Sequence, residues 1–395
     1  MKYDFKNISL RFGVGSKKWQ EMKNNPLLTD ETIPFSVADM ELKTAPEITE
    51  GLKNFIDNNV LGYAGSNKKY RHSVYKWMKN RHNWEIQEDW LIETHSVVNA
   101  FFTAVKAFTQ KGDGIMLFTP VYYPIYKAIE INQRQLVEIP LINNGTSYDI
   151  DWEFFTLAAA APNTKMLILC SPHNPCGRIW TKDELCRLSE ICLKHNVFVV
   201  SDEIHSDLIM PGFKHTCYAT ISQQTRDNCI ICTAPSKTFN LAGMQLSNIF
   251  IPNEKYRRLF QAEQATDADF ACPILSYEAC RLAYTYGEDW LKQVIDLINT
   301  NKQLIIDFMQ EYFPQVKITV LQATYLLWLD FRAFNLPAAE LERINREKAC
   351  LYFDEGYIFG KAGEGFERWN LACPTKYIKS ALTRLYNAYS NFAAK

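Results

Sequence analysis

Between residues 44 and 285 the chain alternates short, β-branched or apolar runs with stretches of helical periodicity, and no other feature restricts the fold as much. Strands separated by helices cannot pair as hairpins, so the pattern predicts a doubly wound, largely parallel sheet with helices on its faces. Strands are predicted near Gly114 to Phe118, Lys165 to Cys170, Val197 to Ser201 and Asn228 to Thr233. The run Val197 to Val200 and the run NCIIC read as fully buried strands. Thr44 to Glu47 and Thr181 to Glu184 both match a capping box and predict helix starts, and beyond the second Leu185, Leu188 and Ile191 fall on one helical face.

In an open α/β sheet, ligands bind outside the carboxyl ends of the strands. The loops that follow the four strands carry Tyr122 and Tyr123, Asn174, Asp202 with His205, and Lys237. A lysine just past a buried strand, in APSKTFNLAG at 234 to 243, is either a solvated loop residue or an amine kept for chemistry. Amine catalysis on a carbonyl needs a lysine that can lose its proton near neutral pH, which burial beside a cationic centre favours. An aspartate on a neighbouring strand end is the group that would keep a pyridine nitrogen protonated. Lys237 and Asp202 together therefore describe a site for pyridoxal 5'-phosphate.

The remaining loops complete that site. Asn174 in SPHNPCG can donate to a phenolic oxygen, and Tyr122 in TPVYYP can stack on a ring. Ser96, Val97 and Val98 open a helical run and offer backbone N–H groups to a phosphate, with the Ser236 hydroxyl beside them. Arg368, in FERWNLACP, is the candidate fork for an α-carboxylate. Each residue alone has an ordinary reading: Asp202 as a cap, Asn174 as turn chemistry, Tyr122 as packing, His205 as a structural histidine and Arg368 as a surface ion pair. Their coincidence at one edge of one sheet favours the site.

Composition narrows the partners. Forty-three basic against 44 acidic residues leave a net charge of −1, so no global field draws nucleic acid or an anionic membrane, and no apolar run is long enough to span a bilayer. The expected partners are a small molecule and another copy of the chain. The start MKYDFKNISLRFG has no apolar signal core, and the 11 cysteines, many inside apolar runs, read as buried thiols, so a cytoplasmic protein is expected. Cys229 and Cys232 form a CxxC inside a strand and read as core packing; no metal is called for. Three parts are expected: an arm over 1–43 that packs on the small domain or a partner subunit, a large cofactor-binding domain over 44–288, and a smaller α+β domain over 289–395. In the last part the pattern predicts a long helix, a strand-like ITVLQATYLLWLDF and a helix around 337 to 350.

The ordered set Tyr122, HNPCG, SDEIHSDL, SKTFNLAG and Arg368 resembles fold-type I pyridoxal-phosphate enzymes of aminotransferase class I/II. VADMEL at 37 to 42, GYAGSNKKYRHSVYKWMKNRHNWEI at 62 to 86, SPHNPCGRIWTKDEL at 171 to 185 and APSKTFNLAGMQ at 234 to 245 are similar to the cystathionine β-lyase branch of C–S lyases, the PatB and MalY type. The resemblance implies Lys237 as the Schiff-base lysine, Asp202 on the ring nitrogen, Asn174 at the phenolic oxygen, Tyr122 over the ring and Arg368 on the substrate carboxylate. It further implies that Tyr63 reaches the phosphate of another subunit, so that a homodimer with active sites at its interface is the functional unit. His205 and Gln245 stand where ordinary aminotransferases carry a tyrosine and an arginine, which points to the lyase branch. Ser36, Ser96 and Glu41 depart from the branch, the first implying a more open or more polar pocket wall.

The implied activity is α,β-elimination of L-cystathionine or another S-substituted cysteine to thiol, pyruvate and ammonia. Lys237 would remove the α-proton, and its ammonium or Tyr123 would protonate the leaving thiolate. Transamination of an L-amino acid is the alternative on the same scaffold. A cofactor-binding regulator with little turnover is the alternative from another class.

Overall fold

The computed structural model describes residues 3–267 and 271–393. The chain runs through β1 (Leu91–Thr94), β2 (Gly114–Thr119), β3 (Gln135–Pro140), a small hairpin of β4 (Ile142–Asn143) and β5 (Tyr148–Asp149), then β6 (Thr164–Cys170), β7 (Phe198–Asp202), β8 (Cys229–Thr233) and β9 (Ser247–Phe250). Seven of these form one sheet in the order β1-β9-β8-β7-β6-β2-β3, in which β9 alone runs against its neighbours. Helices cover both faces, so β7 and β8 are buried along their whole length, as continuous apolar runs require. The register sets Asp202 level with Cys170 on one side and Cys232 on the other. All 11 cysteines are free and ten are buried.

The capping box expected at Thr181 forms in both halves and starts the helix Lys182–Lys194, which buries Leu185 and Leu188. The one expected at Thr44 does not form. Pro46 occupies the first helical position and sets the turn geometry, so Ala45 is the cap residue and no side chain bonds the helix start.

A second sheet is antiparallel, in the order β10 (Lys317–Ile318), β11 (Leu326–Asp330), β13 (Phe366–Asn370), β12 (Asp354–Glu355). The expected strand-like run 318–331 is therefore two strands. It is broken near Thr324, whose φ of +72° interrupts extended backbone. The long helix Glu288–Tyr312 and the helix Thr375–Ala388 pack together beside this sheet.

Residues from the first forty lie against this second region. Phe5 packs edge-on to Trp290, Asn25 Nδ2 donates to the Arg346 carbonyl and the Tyr352 hydroxyl, and the backbone of Phe35 pairs with Tyr352 and Asn370. β13, which ends at Asn370, carries Arg368 toward the carboxyl ends of β6 and β7.

Gly356 and Gly363 make the close approach beside β13 possible. A Cβ on Gly356 would sit 2.0 Å from the Gly363 carbonyl oxygen and 2.6 Å from that of Phe366. Backbone atoms cannot yield as a flexible side chain can, so Gly356→Ala is expected to destabilise the protein by about 1–3 kcal/mol, measured as the shift in denaturant midpoint.

Candidate active site

A cavity of about 140 Å³ opens at the carboxyl ends of β7 and β8. Its walls include Ala38, Ser96, Val97, Val98, Tyr122, Asn174, Asp202, His205, Ser236, Lys237 and Gln245. Parallel strands end on one level, which brings together residues from Ser96 to Lys237.

Lys237 lies in the single helical turn Pro235–Thr238 that follows β8. Burial and the nearby Arg368 charge push its amine down to about 8, while Asp39, Asp202 and Asp354 pull the other way. Asp202, the last residue of β7, is pushed up to about 7 by burial. The Ile204 N–H, which donates to its Oδ1 at 3.2 Å, and the charge of Lys237 oppose that rise. A carboxyl so enclosed is only partly ionised at neutral pH, and a cation brought to it completes the ionisation.

Arg368 is buried. It donates from Nη1 to Asn174 Oδ1 at 2.8 Å, pairs with Asp354 through Nη2 and lies over the Phe359 ring at 4.7 Å, and its Nε has no partner among the described residues. The bond to Oδ1 fixes the Asn174 amide and leaves Nδ2 as a donor. His205 is buried with Nδ1 unpartnered among the described residues, and burial followed by the Lys237 and Arg368 charges keeps its imidazole neutral. Tyr122 lines the cavity with its phenol pushed above the ordinary range by burial, and its ring lies 5.4 Å from that of Tyr123.

Ser96 caps the helix Val97–Phe108 by accepting from the Asn99 N–H at 3.1 Å. The N–H groups of the first helical turn therefore start at the cavity wall, the arrangement that binds phosphate. The unpaired His205 nitrogen, the enclosed Asp202 carboxyl, the depressed Lys237 amine and this helix start form a donor set that suits a pyridine ring bearing phosphate and phenol.

Four expected residues lie outside the cavity lining, among them Arg368, which meets the wall through Asn174. Tyr63 is fully exposed and Tyr123 is 41% exposed, and neither lines the cavity within this chain. Ser36 is buried and also lies outside the cavity lining.

Sequence reasoning missed the layer behind the cavity. Asp207 accepts from Trp77 Nε1 at 3.1 Å and Thr238 Oγ1 at 2.8 Å, meets His82 Nε2 at 2.8 Å and pairs with Arg81 at 3.3 Å. Glu203 pairs with His215 at 2.9 Å and accepts from the Tyr218 N–H at 2.8 Å. These carboxylates lie within SDEIHSDL, and Asp207 ties it to the helix Lys68–His82 and to the residue after Lys237. The motif was visible, but its buried partners come from distant segments.

Residues 30–385 match the family model for aminotransferase class I and II, and the chain belongs to that family. It is 38% identical to cystathionine beta-lyase PatB of Bacillus subtilis over 96% of this chain and 98% of that one. Among solved structures it is similar to cystalysin from Treponema denticola, which contains a pyridoxal 5'-phosphate cofactor, with a TM-score of 0.97, 44% identity and coverage of 99% of this chain and 100% of that one. It also resembles the PLP-bound C–S lyase from Staphylococcus hominis, with a TM-score of 0.90, 28% identity and 98% coverage of both chains.

The second layer yields a pH prediction. Burial raises the Asp207 carboxyl, but the His82 bond and charge, with Arg81 and Thr238, hold it below the ordinary value. A lowered folded value adds stability that is fully present above the unfolded value of about 4 and fades as pH falls through the folded one. Asp207→Ala should cost about 3–5 kcal/mol at neutral pH by stranding buried donors. Urea melts should show the gap from the parent narrowing below about pH 4.

Proposed function

We propose that the chain is a pyridoxal-phosphate-dependent carbon–sulfur β-lyase that cleaves L-cystathionine or a related S-substituted cysteine to thiol, pyruvate and ammonia. The observation that carries the site assignment is the enclosure of Lys237 and Asp202 in one cavity, with the amine lowered and the carboxyl raised toward neutrality. Family membership and the lyases among the relatives support the activity.

When bound, the cofactor offers an aldehyde that an amine can hold and a ring that spreads the electron pair left by a removed α-proton. Lys237 is the amine that holds it. With a value of about 8, Lys237 supplies a useful fraction of free base near neutral pH for taking the α-proton. Asp202 balances positive charge at the ring nitrogen, and meeting that charge ionises a carboxyl that burial otherwise holds near 7. Asn174, whose Oδ1 is taken by Arg368, would offer Nδ2 to the phenolic oxygen, and the unpartnered His205 Nδ1 would be available as a further donor to the cofactor. Tyr122 covers the ring. Ser236 and the N–H groups that follow Ser96 take the phosphate.

Arg368 fixes the carboxylate of the amino acid with its unpaired Nε, while Asp354 and Asn174 hold its other nitrogens. The departing thiolate takes a proton from the Lys237 ammonium or from Tyr123, which stands at the exposed rim.

A homodimer completes this reading. Tyr63 is fully exposed in a segment with exposed Val60 and Leu61, a surface suited to another copy, and there Tyr63 would bond the neighbouring subunit's phosphate. The parts 1–43, 44–288 and 289–395 are then the arm, the cofactor domain and the small domain of each subunit.

Incubation with cystathionine, cystine and S-alkyl cysteines should release thiol and pyruvate, and pyridoxamine phosphate accumulating without thiol would instead mean transamination. Lys237→Ala should lose at least about 10²- to 10⁴-fold in turnover. Tyr63→Ala should weaken cofactor retention about 10-fold or more. Mixed dimers of those two variants should regain activity, because one of the two sites then has both groups; no gain on mixing would sink the shared site.

A further inference from the structure

Lys237 Nζ donates to the backbone carbonyl oxygen of Ala38 at 2.8 Å, and the Tyr325 hydroxyl donates to the same oxygen at 2.8 Å. A carbonyl has two lone pairs, so these two donors saturate it. Tyr325 is buried, and burial keeps its phenol protonated. Neither the carbonyl nor this phenol changes charge over the working range of pH, so the acceptor offered to Lys237 is constant.

The backbone that presents this oxygen is wound the wrong way for its residue. Val37 has φ of +55°, a conformation that β-branched side chains resist. Such a torsion persists only where its surroundings over-determine it. Here Asp354 Oδ2 accepts the Val37 N–H at 2.9 Å, and Asn370 Nδ2 donates to the carbonyls of Val37 at 2.8 Å and Asp39 at 2.7 Å. Lys18 pairs with Asp39 at 2.6 Å and Glu41 at 2.9 Å, and Arg11 with the same two carboxylates at 2.8 and 3.1 Å. Asn370 grips the turn from both sides of Ala38.

We propose that the left-handed turn at Val37 makes the Ala38 carbonyl a seat for the free amine of Lys237, and that Asn370 is the positioning residue that keeps the turn wound. A free lysine side chain has many rotamers, and one fixed acceptor removes most of them and sets the direction of its lone pair. The seat acts whenever the amine is released from the cofactor, and is idle while the two are joined. This inference rests on the reading of Lys237 as the cofactor-holding amine.

The test strips the cofactor from the full chain, adds back pyridoxal phosphate and follows the visible band as amine and aldehyde condense with loss of one water. Asn370→Ala should capture the cofactor about 10²-fold more slowly and lose a similar factor in kcat with KM unchanged, the loss expected of a reacting group displaced by about an ångström. Val37→Gly added to that variant should recover most of both losses, because glycine adopts this torsion without a clamp. Capture by Asn370→Ala at the parental rate, or a double variant as slow as the single one, would overturn the seat.

If Asn370→Ala does not accumulate folded, the double variant decides. Folded with near-parental capture it supports the seat; slow capture or failure to fold overturns it, since Asn370 would then serve the fold rather than the turn. A parent chain that forms no visible band at all would refute the reading of the site and not the seat alone.

Discussion

The structure depends on placing a lysine amine where burial weakens the solvation of its charge. Once Lys237 is enclosed beside Arg368, its proton is held loosely and the surrounding carboxyls must be arranged to balance two cations without neutralising the amine. Asp354 takes Arg368, Asp39 is tied to Arg11 and Lys18, and Asp202 is left near Lys237 with few donors of its own. The carboxylates nearest the amine are thus either committed elsewhere or raised by burial. The result is a base available near neutral pH and an acid group that awaits a ring cation.

This balance is maintained by two layers of support. Behind the cavity, Asp207 and Glu203 hold the loop after β7 against Trp77, His82 and His215. In front of it, the turn at Val37 is held by residues of β12 and β13. Both layers use buried, hydrogen-bonded charge, which is costly to break and so resists loosening. The cavity lies between them, with walls drawn largely from loops that these contacts tie down.

Much of this was legible in the sequence because the chemistry sits at strand ends. Asp202, Asn174 and Lys237 follow apolar runs whose periodicity leaves little choice of fold, so their meeting at one sheet edge could be read from order alone. Arg368 was legible only as an arginine of the right kind near the end of the chain. Asp354, Tyr325 and Asn370 carried no local signal, because their roles arise from how the antiparallel sheet meets the segment 36–41. The box at Thr44 was misread for a related reason: the spacing matched, but Pro46 had already set the helix start. Tyr63 shows the remaining limit, since nothing within one chain gives its side chain a partner in the cavity.

The groups that hold Lys237 come from both extremes of the chain: Lys18 and Val37 near the front, Asp354 and Asn370 near the back. A nascent polypeptide emerging from the ribosome would expose residue 237 long before the strand bearing Asn370 exists. Contacts of such wide separation form late in folding. The site is therefore complete only when both ends of the chain are in place, because its supports are split across the length of the sequence.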